Sequence, residues 1–174
     1  MEPTDQALLD AFVSACTVQE ADRDSHEYWL PVACATEPQH LVPLYAKLPG
    51  RFPPLYERFA LSYRWPLVDL PMLSLLANPQ GPTLGGLLAE MRQDKGLWEE
   101  LAPRGLIPFG RGGGGSYDPV FFDTRYRHGD GDCRVVQIDH EEILCSFRIR
   151  EVAEIADSFR RLVLAVVEHG AVVR

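Results

Sequence analysis

The sequence predicts a single α+β domain in which a mainly antiparallel sheet occupies the second half and helices flank it. Three observations carry this expectation. Apolar residues recur at helical spacing in the first half and again near the end. Between Leu106 and Ile149, short apolar runs are separated by glycine- and aspartate-rich segments with the chemistry of strand-to-strand turns. The chain has 174 residues, 46% hydrophobic and 24% charged, enough to bury one continuous core.

The elements follow in order. Thr4 or Asp5 caps a first helix, with Leu8, Leu9, Phe12, Val13 and Cys16 on its apolar face, so Cys16 reads as core. After the acidic stretch 20–27, Tyr28 to Val32 reads as an edge or terminal strand, because Pro31 has no N–H to give a central ladder. A connector over 36–40 then separates residues 1–40, an N-terminal helix and strand packing on the core, from the main domain, 41–174. Pro53-Pro54 opens a helix carrying Leu55, Tyr56 and Phe59, which Trp65-Pro66 ends. Thr83 caps the next, with Leu84, Leu87, Leu88 and Met91 inward and a stop near Gly96. Gly85 and Gly86 each weaken it by about 1 kcal/mol relative to alanine.

Asp123 ends a short aromatic strand, and Gly129-Asp130-Gly131-Asp132 turns the chain into a second strand, Arg134 to Ile138. Asp139-His140-Glu141-Glu142 is then a turn into a third. There Ile143, Cys145, Phe147 and Ile149 alternate with Leu144, Ser146, Arg148 and Arg150 and form a buried face. Leu144 and Val120 fall on outer positions from which two molecules could pair edge to edge. The last helix starts near Asp157 or Ser158, buries Phe159, Leu162, Val163, Val166 and Val167, and closes at Gly170.

Charge narrows the partners. The net charge is −8, and the seventeen basic residues include only two lysines, Lys47 and Lys95, with the arginines scattered. No polyanion track forms, so neither nucleic acid nor an anionic membrane is an expected partner; a basic partner is favoured. No basic start followed by an apolar run marks an export signal, and the longest aliphatic run, 162–167, is too short to span a bilayer. Cys16, Cys34, Cys133 and Cys145 lack C-x-x-C spacing, which suits reduced thiols in a cytoplasm.

Gly110, Gly112 and Gly115 match the G-x-G-x-x-G pattern of dinucleotide sites. That pattern binds pyrophosphate only where the loop runs into a helix N-terminus, whereas here Ser116-Tyr117-Asp118-Pro119-Val120-Phe121-Phe122 predicts another strand. The Walker lysine is missing after Gly115, and Asp118 replaces the second glycine of a nucleophile elbow. A mobile strand-to-strand loop is expected, with no cofactor. His128, Cys133, His140 and Cys145 follow no common zinc spacing, and Asp130, Asp132, Asp139, Glu141 and Glu142 read as solvated turn acids rather than a calcium loop. Cys133 with His140 lacks an evident orienting group, so Cys133 reads as structural. The chain is accordingly expected to be no enzyme; a metal-dependent hydrolase on Asp123, Asp139, His140 and Glu141 is the minor alternative.

The segments LPGRFPPLYERFALSYRW (48–65), GLIPFGRGGGGSYDPVFFD (105–123), VVQIDHEE (135–142) and IADSFRRLV (155–163) together resemble the SUKH superfamily of bacterial immunity proteins and fungal cell-wall assembly regulators. The likeness runs from about Leu48 to His169, and "YDP" and "RYRHGDGDC" look like subgroup variation. It implies an α+β fold with helices around a mainly antiparallel sheet, and a binding protein: an immunity protein that occludes a toxin domain or, alternatively, a regulatory scaffold with an endogenous partner. The expected contact surface is Tyr117, Asp118, Asp123, Asp139, His140, Glu141 and Glu142, whose acids would meet a basic toxin domain; Arg111, Arg125 and Arg127 lie near the same loop.

Overall fold

A six-stranded antiparallel meander organises the chain, each strand pairing with the next in sequence. The computed structural model describes residues 3–21 and 31–169. The strands are β3 (Val68–Asp69), β4 (Leu73–Leu75), β5 (Leu106–Gly112), β6 (Pro119–Arg127), β7 (Cys133–Ile138) and β8 (Glu151–Ala156). A separate pair joins β1 (Val32–Ala33) to β2 (Tyr63–Arg64). The helices are α1 (Asp5–Ala21), α2 (Leu41–Tyr45), α3 (Pro54–Ser62), α4 (Gly85–Met91), α5 (Lys95–Leu101), α6 (His140–Ser146) and α7 (Phe159–His169). This is the α+β arrangement that the residue pattern predicts.

Both sheet faces are covered, and β6 shows why its centre is continuously apolar. Val120 and Phe122 join the larger core, built with Leu8 and Phe12 of α1, Phe59 of α3 and Phe159 of α7. Phe121 points the other way, into a smaller core with Leu97 and Leu101 of α5 and Ile143 of α6. Alternate residues of one strand thus serve two layers. Val120 is fully buried, so it is not an outer position.

The helix starts follow local chemistry. The Thr4 hydroxyl accepts the Ala7 N–H at 3.3 Å, and Ser158 Oγ accepts the Arg161 N–H at 3.1 Å. The helix expected to run from Thr83 to near Gly96 ends at Met91. Asp94 then accepts the Leu97 N–H and starts α5, which the sequence reading did not separate. Of the expected strand 28–32, only Pro31 and Val32 fall within the described residues; Val32 begins β1. The expected closure at Gly170 and most of the acidic stretch lie outside them.

One element is corrected. Residues 143–149 are not a strand: His140–Ser146 is helical, Ile143 is its one buried residue, and Cys145 is exposed. The alternating set contains Ile143 and Phe147 four apart, which a helix satisfies equally, and Asp139 decides by accepting the Glu142 N–H at 3.0 Å. The helix ends where Phe147 turns left-handed (φ 54°, ψ 29°) and donates to Ile143 O, with Arg148 N–H donating to Glu142 O. That backbone state costs a non-glycine residue about 1–2 kcal/mol. The true neighbour of β7 is β8, an edge strand whose exposed residues are Glu151, Val152 and Glu154.

Candidate functional site

The glycine segment connects β5 to β6. Gly112 N–H donates to Asp118 O at 2.8 Å, Gly113 N–H to Met72 O at 3.1 Å and Ser116 N–H to Gly113 O at 3.3 Å. Gly114 and Gly115 take φ of 67° and 83°, as a tight reversal requires. Gly110 lies inside β5, where an added Cβ would stand 2.8 Å from the Ser74 carbonyl oxygen of β4. The fingerprint glycines therefore serve strand approach and a turn, and their loop enters extended chain, not a helix.

Asp118 pins this turn to the start of α6. Its Oδ1 accepts the His140 backbone N–H at 3.1 Å and lies 2.7 Å from His140 Nδ1. Ser116 Oγ accepts from Asp118 N at 3.2 Å and from Gln137 Nε2 at 3.1 Å, tying the turn to β7 as well. Partial burial opposes the Asp118 charge, yet the His140 and Ser116 bonds hold its carboxyl below the usual range. Tyr117, between these anchors, is 82% exposed, its ring centroid 6.4 Å from that of His140. Glu141, next on α6, is exposed, Glu142 is half-buried, and Asp139 is committed to capping α6, with Arg150 Nε 3.6 Å from its Oδ2.

Next to this corner lies a groove of about 250 Å³, lined by Trp98 and Leu97 of α5, Met91, Arg111, Pro108 and Phe121, and reaching Tyr117 and His140. Arg111 donates to Gln93 Oε1 at 3.0 Å across it. Trp98 is the residue that sequence reasoning missed. Its signal was the Asp94 cap, which sets the phase of α5.

Asp123 belongs elsewhere. It is fully buried within β6, away from the strand's end, and cannot contribute to an exposed contact surface. Arg125 Nε reaches its Oδ1 at 2.8 Å and Arg134 Nη2 its Oδ2 at 2.8 Å; Arg134 continues to Glu151 and Glu154 of β8. Burial works against the Asp123 charge, but the two guanidinium groups outweigh it and keep the carboxyl below its ordinary value. A carboxyl depressed on folding adds stability above its unfolded pKa, and this is lost as the pH falls below about 4 through the folded value. Asp123→Asn is expected to cost about 2–3 kcal/mol at pH 7, under the range for fully buried pairs because both arginines reach solvent. Urea unfolding from pH 7 to 2 checks this: the gap between wild type and variant should close with acid, and a constant gap refutes the assignment.

The remaining candidates are dispersed. Cys133 lies in the core at the start of β7 and His140 beyond its end, so they form no pair; burial pushes the Cys133 thiol up to about 12. His128 bonds Asp157 O near the β6–β7 turn, and Cys145 faces outward on α6. Asp132 is no solvated turn acid: it is buried and accepts from Phe159 N and Arg160 N. Among the described residues, no helix is long and apolar enough to cross a membrane. Comparison with protein-family models and with curated proteins finds no match to this chain in either.

Proposed function

We propose that this chain is a non-catalytic, cytoplasmic protein-binding module of the SUKH type, an immunity protein that occludes a basic toxin domain. One observation carries the reading: Tyr117 stands exposed on a turn that Asp118 ties to His140 at the start of α6, with Glu141 next after His140 on that helix and the Trp98 groove adjoining. Exposed aromatic side chains on a fixed backbone are frequent binding anchors. The flanking carboxylates and the net charge of −8 favour a basic partner and speed its encounter.

The test begins with affinity capture and identification of the retained protein, followed by assay of whether the chain neutralises it. Glu141→Lys with Glu142→Lys is expected to slow association about tenfold and to flatten its salt dependence. Unchanged kinetics in that double variant would place the interface elsewhere. Capture of an endogenous regulator without toxin activity would replace immunity by a scaffolding role.

A further inference from the structure

Helix α6 presents an outer side that the rest of the chain leaves uncovered. Leu144 is 53% and Phe147 66% exposed, and Cys145 between them also faces solvent. Phe147 holds a left-handed backbone that glycine would adopt without strain, and its ring gains little burial in return. The left-handed turn lets the Phe147 and Arg148 N–H groups close α6 on Ile143 O and Glu142 O, a role that glycine would fill without the strain, so the exposed ring itself adds little inside the described chain. A large apolar side chain kept exposed beside Leu144 at such a position points to a contact outside the chain.

The charges around this patch have opposite signs at its two ends. Glu141 stands three residues before Leu144, and Arg148 three residues after Cys145. Both are exposed, and among the described residues neither has an ion-pair partner. A two-fold interface uses the same patch from both copies, so it must be complementary to itself. An axis passing between Leu144 and Cys145, with the two helices antiparallel, sets each Glu141 against the other copy's Arg148 and brings the apolar centres together. A uniformly acidic patch would repel its own copy; this one does not.

We propose that the chain forms a two-fold dimer through the outer side of α6, with Leu144 and Phe147 as apolar anchors and Glu141–Arg148 pairs across the axis. The inference does not depend on a toxin partner. Because Glu141 belongs to both surfaces, a second copy and a foreign protein compete for it, and self-association regulates access to the Tyr117 corner.

So short a helix makes a small contact, which belongs to the weak, micromolar class of interfaces. Sedimentation of the purified full chain between about 1 and 200 μM reads it directly, with the mass expected to rise towards twice that of one chain. Phe147→Gly is expected to raise the dimer dissociation constant about tenfold or more while raising the melting temperature, since it removes anchor and strain together. Glu141→Arg and Arg148→Glu should each weaken the dimer about tenfold, and their combination should restore it to within about threefold. A wild-type chain that stays monomeric across the range overturns the proposal, as does a dimer indifferent to Phe147→Gly or a charge exchange that fails to restore association. No partner protein enters these measurements, so their failure leaves the protein-binding reading standing, and failure of that reading leaves the dimer standing.

Discussion

Phe122→Ala is expected to destabilise the chain by about 3–5 kcal/mol, the range for emptying a fully buried aromatic site. Phe122 is completely buried in β6 and stacks on Phe109 with centroids 3.8 Å apart and planes at 4°. Tyr56 meets it edge-on at 4.9 Å, Phe159 at 5.7 Å and Phe52 at 6.4 Å. These neighbours come from α3, α7, β5 and the approach to α3, so the ring ties the sheet to the helices on its larger face. The neighbours cannot close the gap without moving several elements at once, and for this reason the upper part of the range applies. Since domains of this size are stable by only about 5–15 kcal/mol, the variant should sit close to its unfolding threshold. Chemical denaturation measures the loss. Phe122→Leu, which leaves a smaller void, should cost clearly less, and a loss under about 1 kcal/mol for the alanine variant would contradict this packing.

Asp132→Ala is the second large effect, expected to cost about 2–3 kcal/mol. Its Oδ1 accepts from Cys133 N at 2.8 Å and from Phe159 N at 3.1 Å, and its Oδ2 from Arg160 N at 3.2 Å. One carboxylate from the β6–β7 turn thereby serves the first N–H groups of α7, 27 and 28 residues further along the chain. Alanine would leave the Phe159 N–H buried without a partner, and an unmade buried hydrogen bond costs more than a made one contributes. Hydrogen exchange separates this from general destabilisation: the first turn of α7 should lose protection before β5 and β6 do. Asp132→Asn keeps an acceptor oxygen and should recover part of the loss. Equal protection throughout the alanine variant would show that the cap is not what holds α7 in place.

These two residues also mark how far the sequence could be read. Although Val120, on the same strand face, read as an outer position and left the burial of Phe122 unread, Phe122 was legible as part of an aromatic strand, because an aromatic run bounded by turn residues admits few other readings. Asp132 was not. From its position in Gly129-Asp130-Gly131-Asp132 it reads as a solvated turn acid, and the turn itself is real, with Gly131 N–H donating to His128 O. Only the folded chain brings the N-terminus of α7 to that turn. At the candidate site, Tyr117, Asp118 and His140 were each singled out and do meet at one corner, with Glu141 following His140 on α6, although the Asp118–His140 bond spans two elements that no local pattern connects. Asp123 was grouped with them because it reads as the last residue of its strand; β6 instead extends to Arg127 and encloses it.

By itself the sequence determined the α+β class, the capping of the first and last helices at Thr4 or Asp5 and at Asp157 or Ser158, the strand-to-strand path of the glycine loop and the buried faces of α1, α3, α4 and α7. All of these follow from interactions within a few residues or from the period of apolar side chains, and such information is local. Tertiary structure alone decided that Asp132 caps α7, that Asp123 is buried between two arginines and that Trp98 lines a groove beside Tyr117. Each of those outcomes depends on which segments distant in the chain share a layer, and the free energy of that choice comes from surfaces that do not exist until the layers meet.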